Sequence, residues 1–171
     1  MSGLSQELQA LLQTVEGSDD EVEAKARASF GKLYCGGRFR GEVPMYQGGK
    51  VIFFEDRFDH AFFTSPDRAR RAYSKAKLAR DRIERMAWIG AMIRGAIPGV
   101  ECWEVVPHQG RQHPRDRALV LWQPGYVVWL WPTNAEGVFK FSSAYPIPAA
   151  EIARSIRGGR KSWKVEEEGA P

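Results

Sequence analysis

Residues 118–131, ALVLWQPGYVVWLW, decide the fold class. Two runs of β-branched and aromatic side chains flank Gln123-Pro124-Gly125. Pro-Gly between two such runs is turn chemistry, and Pro inside a helix would remove a hydrogen bond and clash with the preceding turn. The reading is therefore two strands joined by a tight turn. Working outward, 101–106 before this pair and 138–145 after it have the same β character, which makes four expected strands. Short connections favour antiparallel neighbours, so the expectation is a four-stranded antiparallel meander.

Away from the strands the spacing becomes helical. Leucines at 4, 8, 11 and 12 predict a helix over 4–13, and Gly17-Ser18 ends it. Asp19 and Asp20 suit the start of a second helix over 20–34, with Val22, Ala26, Phe30 and Leu33 on one side. Residues 38–50 carry Gly41, Pro44, Gly48 and Gly49 and read as loop; 51–54 and 60–63 read as short strands around a polar turn. Ser65-Pro66-Asp67 opens a long helix to about Arg94. Its stripe of Ala72, Ala76, Ala79, Ile83, Met86, Gly90 and Ile93 steps by three and four. Residues 148–157 give a last short helix, and 158–171 a flexible charged tail. The expected class is α+β, with N-terminal helices packed on the meander. The expected organisation is an acidic helical extension over 1–37, a main domain over 38–157, and the tail.

Composition excludes several classes. At 171 residues, 43% hydrophobic and 27% charged, the chain can bury a core and is not disordered. The longest apolar run, 126–131, is six residues against roughly 20 for a membrane span. Residues 1–30 lack the basic start and apolar stretch of a secretion signal, so the cytoplasm is expected. Cys35 and Cys102 form no CxxC, and His60, His108 and His113 have no metal-ligand spacing, so no metal or other cofactor is expected. There is no phosphate-binding glycine loop or nucleophile elbow. The net charge of +4 is uneven: 1–30 hold six acidic and two basic residues, whereas 68–94 hold nine basic and two acidic. A cationic block suits RNA or an acidic protein; it also fits a solvated helix face.

The candidate site residues follow. In a helix over 65–94, Lys75, Leu78, Arg82, Arg85 and Ile89 would flank the buried stripe, with Arg82 and Arg85 reaching over the sheet towards a phosphate or pairing with Asp81 and Glu84. His60, beside Asp59, titrates near pH ~6.5 when unperturbed and is the best acid–base candidate. In VFKFSSAYP, 138–146, a strict two-residue period puts Phe139, Phe141, Ser143 and Tyr145 on one face and Lys140, Ser142 and Ala144 on the other. Polar Ser143 and Tyr145 continuing a core-facing register suggest a pocket, or simply the solvated end of a strand.

The segments FDHAFF (58–63), DRIERMAWIGAMI (81–93), ALVLW, YVVWLW and FSSAYP (141–146) resemble phage- and toxin-associated nucleases of the barnase, EndoU, colicin D and RelE superfamily. The resemblance covers about 51–146. It implies metal-independent RNA cleavage through attack of the 2′-hydroxyl on its own phosphate. His60 would be base or acid, Arg85 would hold the phosphate, Ser143 would hydrogen-bond a phosphate oxygen, and Tyr145 would orient or stack on a base. Arg82, Lys75, Arg71 and Lys140 would bind RNA phosphates. The implied partners are RNA, tRNA among its classes, and an antitoxin or immunity protein, with no membrane. The competing class is a non-catalytic RNA- or protein-binding module.

Overall fold

The stretch that decides the fold forms a hairpin, β6 (Asp116–Leu121) against β7 (Tyr126–Pro132), antiparallel around the 122–125 turn. The computed structural model describes residues 3–37, 40–64, 77–106 and 116–167. The hairpin's neighbours are β5 (Glu101–Val105), antiparallel to β6, and β8 (Val138–Pro146), antiparallel to β7. The expected four-stranded meander is nevertheless incorrect as a description of the sheet. Among the described residues the sheet has seven strands, in the order β1-β2-β8-β7-β6-β5-β9, and it is mixed.

Two of the remaining strands were hidden by composition, whereas 51–54 reads as a short strand. β1 (Arg40–Pro44) and β2 (Lys50–Phe54) form a hairpin where 38–50 reads as loop. Gly41 there is not a turn residue: a Cβ on it would lie 1.8 Å from the Tyr34 carbonyl oxygen, so the strand needs glycine to pass the end of a helix. β2 then pairs in parallel with β8, Val51 opposite Phe139. At the far edge β9 (Arg160–Lys164) pairs with β5 in the segment read as a flexible tail.

The helices also differ from expectation. α1 (Gln6–Ala10) is short; α2 (Asp19–Phe30) is capped by Ser18 in a reciprocal capping box with Glu21 and continues as one π turn over Gly31–Cys35. Residues 57–62, read as turn and strand, form α3 (Arg57–Phe62). The helix expected over 65–94 is not continuous where it is described. β3 (Phe63–Thr64) pairs with β4 (Lys77–Leu78), Ala79 is non-helical, and α4 (Arg80–Glu84) breaks at Arg85 before α5 (Met86–Ile93). Its expected first turns, with Arg71 and Lys75, lie outside the described residues, as do His108 and His113.

Directly opposed residues of paired strands share a side of the sheet. One side carries Val51, Phe53, Phe141, Leu130, Val128 and Leu119 into the main core. α5 fills that core and is apolar on all sides, as a fully enclosed helix must be. α1 and α2 close over it: Trp88 donates to the Leu8 carbonyl at 3.1 Å, and Tyr34 donates to Met86 O at 2.6 Å while accepting from Gly90 N at 3.0 Å. Phe30 of α2 meets Tyr34, Phe53, Phe58, Phe62 and Phe141. The segment expected to be an appended extension thus supplies side chains to the same core as the sheet. The other side of the sheet is partly covered by α6 (Ala149–Ser155), whose Ile152 packs with Ile156, Val105, Ala118, Val120 and Val127. Helices therefore lie on both faces, not on one.

Candidate functional site

β8 does not keep a two-residue period. Phe141 lies opposite Leu130 but Ser143 lies opposite Trp129, so Ser142 is an extra residue, a β-bulge. The bulge exchanges the faces. Phe141 and Ala144 both join the main core, whereas Tyr145 packs beside Trp129 on the opposite side. The expectation that Phe139, Phe141, Ser143 and Tyr145 share a face is therefore incorrect. Lys140, opposite Trp131, instead shares the outer face with Ser143 and Tyr145. Both of these last residues are half-buried rather than sealed in the core.

Beyond Ile52 and Lys140 the β2–β8 pairing ends, and α3 and α4 take the place of a neighbouring strand along the rest of β8. Two arginines stitch this junction. Arg57 of α3 donates through Nη2 to the Ser142 carbonyl at 2.9 Å and lies 3.4 Å from Ser142 Oγ. Its guanidinium carbon stands 4.9 Å from the Trp131 ring centroid. Burial holds its pKa below the usual arginine value, with the Asp56 charge opposing, and Nε is enclosed without a partner. Arg82 of α4 donates to the Ala61 carbonyl at 3.1 Å, and its guanidinium lies 4.9 Å from the Tyr145 ring centroid. Tyr145 Oη accepts from Trp129 Nε1 at 2.9 Å, which fixes the phenol in place.

His60 is exposed on α3 next to Ala61, the residue that Arg82 grips. It stands three residues after Arg57, a spacing that makes the two neighbours on a helix. The structure thus gathers Arg82, Tyr145, Ser143 and the His60 segment at one junction and adds Arg57. Arg85 behaves differently. Its Nη1 donates to the Asp81 carbonyl at 2.8 Å and to Glu84 Oε2 at 3.2 Å, and it covers the Trp88 ring. That side chain stabilises the break between α4 and α5. Lys140 lies over the Phe54 ring at 5.0 Å. Arg57 escaped the sequence reading because EDRFDH reads as a polar turn; read as helix, the 57/60 spacing would have exposed it.

A separate groove of about 790 Å³ is lined by Asp19, Asp20, Glu23 and Asp59 together with Arg27 and Lys77, and Arg27 pairs with Glu23 and Asp59. Four carboxylates against two cations leave this groove negative on balance, which disfavours a polyanion there. Among the described residues no group of three or more His, Cys, Asp or Glu could hold a metal ion, and no helix is long and apolar enough to cross a membrane. No family model, curated protein or solved structure matches this chain.

Proposed function

We propose that the chain is a metal-independent endoribonuclease whose site is the junction of α3, α4 and β8. The observation that carries this reading is Arg82, which ties the backbone beside His60 to the ring of Tyr145. RNA self-cleavage needs a base for the 2′-hydroxyl, an acid for the leaving 5′-oxygen, and cations for the phosphorane. His60 takes or returns the proton. As the 2′-oxygen bonds to phosphorus the bond to the 5′-oxygen breaks, leaving a 2′,3′-cyclic phosphate and a 5′-hydroxyl. Arg82, placed over the Tyr145 ring, holds the phosphate in the role first expected of Arg85. Ser143 donates to a phosphate oxygen, and Tyr145, oriented by Trp129, stacks on a base. Such an enzyme meets its substrate in the cytoplasm.

RNA binding without cleavage is the second reading, favoured by the Tyr145 hydroxyl already accepting a hydrogen bond. Purified protein incubated with total RNA in EDTA decides between them. Cleavage is expected to survive chelation, to leave cyclic phosphate and 5′-hydroxyl ends, and to vanish in His60→Ala. RNA that stays intact, or cutting that needs added Mg²⁺, would reject the enzyme as described.

A further inference from the structure

The outer face of the sheet has two halves of different character. α6 seals the half formed by Val105, Ala118, Val120 and Val127. Among the described residues no helix seals the other half, alongside β8, which alternates rings with cations. Lys140 stands over Phe54 at 5.0 Å and opposite Trp131 in the β7–β8 register. Trp131 is 37% exposed, unusual for a tryptophan in an interior strand of a seven-stranded sheet. Arg57 lies at 4.9 Å from its centroid, and further along come Tyr145 and Arg82 at the same separation. A cation stands over each of these rings, and a guanidinium plane, like a ring, is a surface on which a base stacks. Among the described residues neither Arg57 nor Lys140 forms an ion pair, so Lys140 keeps an uncompensated charge and Arg57, though bonded to Ser142, adds a second.

We propose that this strip, from Phe54 and Lys140 through Trp131 and Arg57 to Tyr145, is a stacking platform for unpaired RNA that delivers single strands to the cleavage site. Its substrate role rests on the ribonuclease reading above. Two physical arguments select unpaired RNA. Stacking requires a base with a free face, which a duplex hides, and A-form duplexes present only a shallow minor groove and phosphates to a protein. A flat strand surface of rings and cations offers stacking and backbone neutralisation but no projecting element to enter a groove. From Lys140 to Tyr145 the strand covers roughly 16 Å, enough for a short run of nucleotides.

The test measures binding apart from cleavage. The probe is a fluorescein-labelled, fully 2′-O-methylated oligouridylate of about 12 nucleotides, within the span of a single-strand site. It has no 2′-hydroxyl to attack. Anisotropy titration of the full chain should show at least tenfold tighter binding to this strand than to its duplex with oligoadenylate. Trp131→Ala should weaken single-strand binding about 5- to 100-fold, the range for losing one stacked base. Trp131→Phe should restore most of it, and Lys140→Gln should flatten the salt dependence by about one phosphate contact. Circular dichroism confirms that each variant is folded. Equal affinity for duplex and single strand, or unchanged binding by folded Trp131→Ala, overturns the platform. Cleavage of unmodified RNA that is insensitive to Trp131→Ala would leave the nuclease standing without it. Trp131-dependent binding with no cleavage would leave the platform standing and reject the nuclease.

Discussion

Replacing Arg82 by alanine removes a donor to the Ala61 carbonyl, a cation over the Tyr145 ring, and a positive charge at the α3–α4–β8 junction. The first two contribute to the cost in stability. A hydrogen bond from a charged donor contributes about 1–2 kcal/mol when partly exposed, and the ring contact about 0.5–1. The expected destabilisation is about 2 kcal/mol, which lowers Tm by about 4–8 °C in a chain of this size. The charge sets the cost in rate. Losing one preorganised partner of the developing phosphorane charge lowers kcat by about 10²–10³. Arg82→Lys keeps the charge but not the planar fork, so it should recover only part of both. The measurements are thermal melting and single-turnover cleavage of a labelled RNA in EDTA. A folded Arg82→Ala that cleaves within about threefold of the parent would refute the assignment. Collapse of Tm by tens of degrees would make Arg82 a structural residue.

Further outcomes are expected. His60→Ala should remove one limb of the pH–rate profile and lower the rate about 10²–10⁴-fold; an unchanged profile would exclude histidine as the titrating group. Phe30→Ala, which opens a cavity among five aromatic neighbours at a site 1% exposed, should cost about 3–5 kcal/mol and lower Tm by roughly 6–20 °C. A loss under 1 kcal/mol would show that α2 is peripheral. Burial pushes the Cys35 thiol up to about 11, with Glu55 adding to it, and Cys102 and Tyr34 up to about 12. The folded state therefore holds protons that the unfolded chain releases from pH ~8.5 for cysteine and ~10 for tyrosine. Their contribution is intact below those values and is lost as pH rises towards the folded ones. Tm should thus fall steadily between pH 8.5 and 11; a flat profile would contradict the burial of these groups.

The sequence showed β5 to β8 because each is rich in β-branched or aromatic residues and bounded by turn chemistry. It did not show β1, β9 or α3, and the reasons differ. Gly41 and Pro44 are loop residues by propensity but serve a close helix passage and a strand end. The sequence GRKSWK has no apolar alternation because β9 is an edge strand with one partner, Trp163 being its inward residue. The segment 57–62 is too short for its helical period to stand out beside aromatic residues of high β propensity. The candidate site could be proposed as residue types, His60, Arg82, Ser143 and Tyr145, but not as an arrangement. Periodicity carries no trace of the inserted Ser142, and the face of Ser143 and Tyr145 depends on it. The competition between phosphate and carboxylate for Arg85 was likewise open until α4 broke beside Glu84.

The Arg57 guanidinium and the Ser142 carbonyl it holds are 85 positions apart in the chain. The parallel β2–β8 pairing spans a similar distance, because β5, β6 and β7 are threaded between its members. Contacts of such long range close late, after the local hairpins have formed. During synthesis, α3 leaves the ribosome long before the strand against which it must be set. A nascent chain would therefore pass about half of its elongation, from residue 60 to residue 146, with His60 made and β8 incomplete. In the ribonuclease proposed above, the phosphate site would be completed only with β8, and the ribosome making the chain would be spared until then.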